Sequence, residues 1–366
     1  MKKVLIGALG LSFFAAAPAQ AASFSDVSQY KSEINYLTEQ GIIKGYQDVT
    51  FAPAKNVARL QAVQMILREM GVTDFTAPDP GFTDLKSGDY GYAEVAKAVE
   101  LGFISGKTDR NGNKFFDPYG SLSRAQMAKI LSVAYDLEKE WRYYFNDVKR
   151  GHWAKDYIDV LASEAITTGY EDQTFRPENL IQRQHFALFM ARLLNEDFVT
   201  TSNQKNISYL MDTEKTYVFS EEIDGEYDEY VFSYEGIYAP LNIEWDIWYS
   251  TYSSGDEYEE IYTEYDNELR IGYPESEYYT VLTYPLYEGQ VWTDFYYEEE
   301  GDEYKITDVD ATVTTPAGTF EHVIAQESIG YGQTVYFAPN IGMIKVEDTD
   351  PDDGYNFEVE LVEIIE

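Results

Sequence analysis

The chain has 366 residues, a formal net charge of −38 at pH 7 and no cysteine. A chain of this length exceeds one ordinary hydrophobic core, so we expect at least two domains. The missing cysteine excludes disulfides, thiolate metal sites and a lipid-modified N-terminal cysteine. The strong negative charge excludes nucleic acid and anionic lipid as partners of the acidic region.

The N-terminus has the order of a secretory signal peptide. Residues 1–3 read MKK, residues 4–17 are mostly apolar, and residues 19–21 read AQA, a small-residue cleavage motif. We therefore predict a signal peptide at residues 1–21 and a secreted mature chain. No later stretch approaches the roughly 18–20 apolar residues of a membrane-spanning helix, so no membrane span is expected. Export without cysteine fits a Gram-positive envelope at least as well as a periplasm.

Three blocks of the N-terminal half align with one another at a period of about 60 residues. Each block has an amphipathic helical pattern, a loop with Asp, Phe and Pro, and a second helical pattern. We place the repeats at residues 24–72, 82–138 and 145–195. A helix pair of this size cannot bury its apolar face alone, so the copies are expected to pack together with pseudo-threefold symmetry.

These blocks resemble the S-layer homology (SLH) family, whose pattern joins F-x-D-V, G-Y-x-D-G-T-F-x-P and T-R-A-E. The matching residues are Phe24-Asp26-Val27, Gly45-Tyr46-Asp48-Thr50-Phe51-Pro53 and Arg59 in the first copy, Phe82-Asp84, Gly106, Asp109, Phe116, Pro118 and Arg124 in the second, and Phe145-Asp147-Val148, Gly169-Tyr170-Asp172-Thr174-Phe175-Pro177 and Arg183 in the third. The resemblance covers residues 24–195. It implies an all-α pseudo-trimer, a three-pronged helical bundle.

The resemblance also implies a ligand, a peptidoglycan-linked secondary cell-wall polysaccharide that usually ends in pyruvylated ManNAc. A ketal pyruvate is a carboxylate, which a guanidinium pairs with through charge-assisted hydrogen bonds. One arginine recurs at the same place in all three copies, at a helix start where the helix dipole also favours an anion. We therefore predict polysaccharide binding by Arg59, Arg124 and Arg183.

Aromatic faces and hydroxyl acceptors complete the predicted site. Its remaining members are Trp153, Tyr46 and Tyr170 for sugar stacking and Asp26, Asp84 and Asp147 for hydroxyl groups. Structural alternatives stay open: an arginine here often pairs with a neighbouring Asp, the aspartates are good turn formers, and the tryptophan has no equivalent in the other copies.

Two departures from the family pattern bear on how many grooves bind. No copy has the glutamate of T-R-A-E, and Val49 and Gln173 stand where the family has its loop glycine. The three arginines remain, so each groove keeps a partner for an anion. Loss of ligand binding in one or two of the three grooves stays open.

The second half differs in chemistry. Residues 201–366 hold 40 acidic and 5 basic side chains and 22 of the 33 tyrosines. Residues 196–212 are polar and predict a linker. In residues 213–366 the apolar period changes to two and turn pairs recur every 8–12 residues, which predicts an antiparallel all-β domain, a curved sheet or open barrel. The fold class is therefore α+β multidomain.

No catalytic or metal centre is predicted in this domain. Residues 284–348 resemble a sheet module of exported bacterial proteins, which implies a fold and no chemistry. His322 lacks a serine or metal-binding partner pattern. Segments 348–354 and 109–113 look like calcium loops but lack Gly at the sixth and Glu at the twelfth position, so no cofactor is expected beyond diffuse Ca²⁺ on the acidic face.

We thus expect a non-enzymatic protein of the cell surface, anchored in the cell wall or S-layer and displaying an acidic β domain. A surface protein or a glycan is the expected partner of that domain, and a solvated strand face is the alternative. Two other functions stay open: a self-assembling S-layer protein, and an envelope carbohydrate-active enzyme.

Overall fold

The computed structural model describes residues 24–199, 207–240, 243–294, 302–330, 332–348 and 357–366. The predicted signal peptide and residues 200–206 of the predicted linker lie outside the described residues. Spatial contacts divide the chain into two compact units, Met1–Leu122 with Leu180–Phe198 and Ser123–Asn179 with Val199–Glu366. The predicted α+β architecture is confirmed, because six helices precede a large antiparallel sheet.

The first unit is helical. It contains α1 (Lys31–Glu39), α2 (Arg59–Glu69), α3 (Tyr92–Glu100), a hairpin of β1 (Lys107–Thr108) and β2 (Lys114–Phe115), α6 (Arg183–Leu194) and a 3-10 helix at Glu196–Phe198. The predicted apolar stripes are buried, among them Ile34 and Leu37 of α1 and Val63 and Ile66 of α2. Helix α1 packs on α6 and α2 packs on α3, so each pair joins helices of different repeats.

Three short segments of this unit meet in a closed ring of backbone hydrogen bonds. The amide of Val57 donates to the carbonyl of Ile181 (2.9 Å), that of Ile181 to Leu122 (2.9 Å), and that of Leu122 to Val57 (3.0 Å). All three side chains are fully buried. Each segment ends two residues before a second helix, so within this unit the ring fixes the backbone just before α2 and α6.

An aspartate closes the loop between the two helices of each repeat, which we call the glycine loop (residues 45–53, 106–118 and 169–177). The carboxylate of Asp26 accepts hydrogen bonds from the amides of Phe51 (2.9 Å) and Ala52 (2.7 Å). Equivalent bonds of 2.7–2.8 Å run from Phe116 and Asp117 to Asp84 and from Phe175 and Arg176 to Asp147. The aspartates therefore fix the loop conformation.

The second unit holds α4 (Arg124–Ala134) packed on α5 (Lys155–Ser163), and a twelve-stranded antiparallel sheet. Its strands are β3 (Thr216–Ile223), β4 (Glu226–Tyr238), β5 (Trp245–Tyr252), β6 (Glu257–Tyr265), β7 (Glu268–Gly272), β8 (Tyr278–Thr283), β9 (Val291–Thr293), β10 (Glu303–Thr315), β11 (Gly318–Ser328), β12 (Gln333–Ala338), β13 (Gly342–Asp348) and β14 (Phe357–Ile365). Their spatial order is β8-β7-β6-β5-β4-β3-β14-β13-β12-β11-β10-β9.

The sheet is nearly closed, because its two edge strands meet through side chains. Trp292 of β9 donates from Nε1 to the carbonyl of Thr280 in β8 (2.9 Å), and the Thr280 amide donates to Asp294 (3.2 Å). The segment Ile207–Met211 belongs to this unit and is mostly buried, with Tyr209 only 2% exposed. The end of the predicted linker is therefore part of the fold, and Met211 belongs to the apolar core of the β domain.

Gly106 generates a first prediction. A Cβ at this position would lie 2.2 Å from Cε1 of Phe82 and 2.9 Å from the carbonyl oxygen of Phe115. We expect Gly106→Ala to lower the free energy of unfolding by about 1–3 kcal/mol, measured by urea unfolding. Gly151→Ala is the matched control, because a Cβ there meets nothing within 4 Å. Equal losses in both variants would contradict the packing argument.

Asp26 generates a second prediction. Burial raises its pKa, but hydrogen bonds from the amides of Phe51 and Ala52 outweigh burial, so the pKa lies below its ordinary value. The stability that Asp26 contributes is therefore present above the unfolded-state pKa of about 3.9 and is lost as the pH falls through the folded-state pKa. In Asp26→Asn, an amide NH₂ replaces one of the two accepting oxygens.

We expect Asp26→Asn to lower the free energy of unfolding by about 1 kcal/mol at pH 7, since exposure to solvent weakens the two bonds. The gap to the wild type should narrow below about pH 4. Urea unfolding of the wild type and of Asp26→Asn between pH 3 and pH 7 measures this difference in stability. Glu39→Gln, on the exposed end of α1, is the control. A gap that stays constant with pH would refute the role of the charge.

Candidate functional site

The three predicted arginines begin the second helix of each repeat, and their side chains are only 4–6% exposed. The first two amides of α2 are occupied, since Arg59 donates to the Gly120 carbonyl and Leu60 to the Pro118 carbonyl, both at 3.0 Å. The same pattern joins Arg124 to Asn179, Ala125 to Pro177, Arg183 to Lys55 and Gln184 to Pro53. Loop carbonyls therefore already accept from the first two amides of each second helix, and an effect of the helix dipole on a bound anion stays a prediction.

The guanidinium of Arg59 reaches the glycine loop of the following repeat. Its Nε donates to the carbonyl of Phe116 and its Nη2 to that of Ser105, both at 2.8 Å. The guanidinium carbon lies 4.7 Å from the centroid of the Phe116 ring. Because the arginine comes from one repeat and the loop from the next, the site needs two repeats.

The other two arginines repeat this arrangement. Arg124 donates from Nε to Phe175 (2.7 Å) and lies over the rings of Phe175 (4.5 Å) and Tyr170 (4.9 Å). Arg183 donates from Nε to Phe51 (2.9 Å) and lies over Phe51 (4.7 Å) and Tyr46 (5.0 Å). The last repeat thus supplies the arginine for the loop of the first. We name these places the Arg59, Arg124 and Arg183 sites.

Burial dominates the electrostatics of these sites. It lowers the pKa of all three guanidinium groups from their ordinary value, while the charge of Asp26 favours the cation of Arg183 and those of Asp117 and Asp84 favour the cation of Arg59. In the described part of the chain, neither Arg59 nor Arg183 has a carboxylate at ion-pair distance. A buried cation held only by carbonyls and aromatic rings is costly, and a bound anion would relieve that cost.

The three sites differ beside the arginine. In the Arg183 site, burial raises the pKa of Tyr46, but a hydrogen bond from Gln61 and the charges of Arg183 and Lys55 lower it below its ordinary value. Lys55 Nζ lies 5.0 Å from the Tyr46 ring centroid. Lys55 thus adds a second positive charge near the Tyr46 ring of this site.

In the Arg124 site a second guanidinium, that of Arg176, lies 3.9 Å from the Tyr170 ring and pairs with Asp172 at 2.9 Å. In the Arg59 site the tyrosine position is taken by Lys107, which pairs with Asp117 at 2.7 Å. Sequence reasoning missed Lys107, although it follows Gly106 as Tyr46 and Tyr170 follow their glycines. The Arg59 site therefore offers an ammonium group where the others offer an aromatic ring.

The remaining predicted site residues have local contacts. Both carboxylate oxygens of Asp26, Asp84 and Asp147 accept loop amides, and a further role in binding sugar hydroxyls stays a prediction. Trp153 precedes α5, is 53% exposed and stacks on His152, with ring centroids 5.8 Å apart. Its role as a sugar platform also stays a prediction.

The described residues contain no group of three or more His, Asp or Glu side chains suited to a metal ion. The calcium-like segment 109–113 is a turn, in which Asp109 accepts the amides of Asn111 and Asn113 at 2.8 Å. The other, at 348–354, lies largely outside the described residues. Of the helices in the described ranges, none has the length and apolar character needed to cross a membrane.

The three arginine sites lie in regions that match a known family model. The family model of the S-layer homology domain matches residues 23–63, 81–128 and 144–187. The chain is 28% identical over 235 residues to an S-layer protein of Bacillus anthracis, covering 61% of this chain and 28% of that protein. It is 30% identical over 184 residues to an endoglucanase of a Bacillus strain, covering 48% of this chain and 19% of that enzyme.

The chain thus spans less than a third of the length of these relatives. A solved protein with a YMCC-like fold from Bacteroides fragilis shares 13% identity and a TM-score of 0.30, covering 44% of this chain and 99% of that protein. That likeness is too weak to assign the β domain. The three family matches and the S-layer relatives confirm the resemblance seen in the sequence. The chain is a secreted cell-surface protein with three tandem S-layer homology domains followed by a β-rich domain.

Proposed function

We propose that this chain is held non-covalently on the bacterial cell wall by secondary cell-wall polysaccharide bound at its arginine sites, and that it displays the acidic β domain there. The observation that carries this proposal is a pair of buried guanidinium groups, those of Arg59 and Arg183. Among the described residues, neither has a carboxylate at ion-pair distance. Each is held by two carbonyls and an aromatic ring, which orient a planar donor toward an anion.

The ligand chemistry follows from the groups around each arginine. A pyruvyl ketal carries one carboxylate and a compact ring, so it fits a guanidinium beside a flat aromatic face. Tyr46 and Tyr170 supply that face in two sites, and Lys107 supplies a second cation in the third. We therefore propose pyruvylated polysaccharide as the ligand, with unequal affinities at the three sites.

We also propose that the chain acts as a binding protein. Its relatives include S-layer proteins as well as glucanases, and the similarity to the endoglucanase spans about half of this chain. The region shared with such different proteins is best explained as an anchor common to all of them.

Replacing each arginine by lysine tests the proposal. Arg59→Lys, Arg124→Lys and Arg183→Lys keep the charge but lose the planar fork, so we expect each functional site to lose about tenfold in affinity. Co-sedimentation of the full chain with purified cell walls measures binding, and thermal unfolding verifies that each variant is folded. Arg110→Lys, in an exposed turn, is the matched control.

The same assay should use walls from which the pyruvyl groups, or the whole polysaccharide, have been removed. We expect binding to fall with either treatment. A soluble pyruvylated N-acetylmannosamine glycoside should raise the unfolding temperature of the wild type, and the glycoside without pyruvate should not. Equal binding to treated and untreated walls would refute pyruvate recognition even if a variant misfolds.

Self-assembly into a surface lattice is a second candidate, favoured by the S-layer relatives. Under this function, light scattering of the purified chain would show particles that grow with protein concentration. Lattice assembly depends on protein concentration through mass action. A hydrodynamic radius that stays constant when the concentration is varied about a hundredfold around the micromolar range would therefore exclude self-assembly.

A further inference from the structure

The Arg124 site differs from the other two in what lies behind its glycine loop. The amide of Asn146 donates to the carbonyl of Gln173 (2.9 Å), and its side-chain Nδ2 lies 3.4 Å from the carbonyl of Asp172. Both carbonyls belong to the loop whose Tyr170 and Phe175 face Arg124. Asn146 therefore holds two carbonyls of the loop that contacts Arg124.

Asn146 also binds the β domain. Its Nδ2 donates to Oδ1 of Asn267, in the turn between β6 and β7, at 2.6 Å. The Asn267 amide donates to the Tyr144 hydroxyl at 3.0 Å, and this hydroxyl donates to Oδ1 of Asn146. The three residues thus form a closed network between the third repeat and the sheet.

Tyr144 holds this network in one orientation. Its side chain is 8% exposed and its ring stacks on Tyr284, with centroids 5.4 Å apart at an angle of 26°. Burial raises the pKa of Tyr144 to about 12, so the hydroxyl stays a donor at neutral pH. Because Asn146 Oδ1 accepts from this hydroxyl, its Nδ2 must point at Asn267.

The equivalent residues of the other repeats are Ser25 and Thr83, which have shorter side chains. Thr83 Oγ1 donates to Lys114 of its own repeat at 3.1 Å. Both belong to the first unit, whereas Asn146 and Asn267 belong to the second. Within the second unit, the longer side chain of Asn146 reaches the Asn267 side chain.

We infer that Asn267 is a positioning residue of the Arg124 site, and that ligand binding at this site and docking of the β6–β7 turn stabilise each other. The inference rests on the proposed function of the Arg124 site. Its physical basis is linkage: if docking holds the loop in the binding conformation, a ligand that selects this conformation must strengthen docking by the same factor.

Two substitutions at Asn267 distinguish the role of its side-chain hydrogen bond from the role of its backbone conformation. Asn267 has φ 67°, in the left-handed region. Asn267→Gly adopts this conformation without strain but loses the acceptor, whereas Asn267→Asp retains an acceptor oxygen. If Asn267 matters only for the backbone conformation of the turn, both variants should behave like the wild type. If its hydrogen bond to Asn146 matters, only Asn267→Asp should.

Hydrogen exchange of the ligand-free full chain is the first measurement. We expect Asn267→Gly to speed exchange of the amides in residues 169–177, and Asn267→Asp to leave it near the wild type. Residues 45–53, the matching loop of the first repeat, are the internal control. Unchanged exchange in residues 169–177 would overturn the positioning role whether or not the chain binds polysaccharide.

Polysaccharide affinity is the second measurement. In the full chain with Arg59→Lys and Arg183→Lys, binding depends on the Arg124 site, and we expect Asn267→Gly to lower affinity about fivefold. In the chain with Arg124→Lys, the same change should have no effect. Equal effects in both chains would overturn the coupling. Failure of the wild type to bind polysaccharide would instead refute the proposed function, and the exchange measurement would still decide the role of Asn267.

Discussion

A ring of three backbone hydrogen bonds among Val57, Leu122 and Ile181 is the constraint on which the packing of the first unit depends. The bonds are fully buried, where competition from water is absent and a lost partner is costly. Because an arginine follows each ring residue by two positions, the ring fixes the backbone from which the Arg59 and Arg183 side chains of the same unit extend. It also commits each second helix to the loop of another repeat.

The sequence predicted the helices well, and it predicted which elements they contact poorly. Apolar spacing shows that Val63 and Ile66 lie on a buried face, but periodicity carries no information on which helix covers that face. Repetition of Arg59 in three copies predicted a binding site. The contact of Arg59 with Phe116, by contrast, joins two different repeats, and the sequence of one repeat carries no information on it.

The loop glycines illustrate the same limit. Val49 and Gln173 replace the family glycine, yet both keep positive φ, 62° and 58°. Side chains in this region are strained by about 1–2 kcal/mol. The amides of Phe51 and Phe175, two residues further along, donate to the Asp26 and Asp147 carboxylates and hold the loops in this conformation. In the β half, alternation predicted strands but left their order open, because pairing of the first strand with the last depends on contacts between distant segments.

Exchange of helices between repeats also fixes their number. Since α2 packs on α3, α4 on α5 and α6 on α1, the series returns to its starting point. An open solenoid gains or loses units at its ends with little effect on the rest. Here, deleting or duplicating one copy would leave apolar helix faces without their covers, so evolution and protein engineering should transfer this module only as a complete set of three.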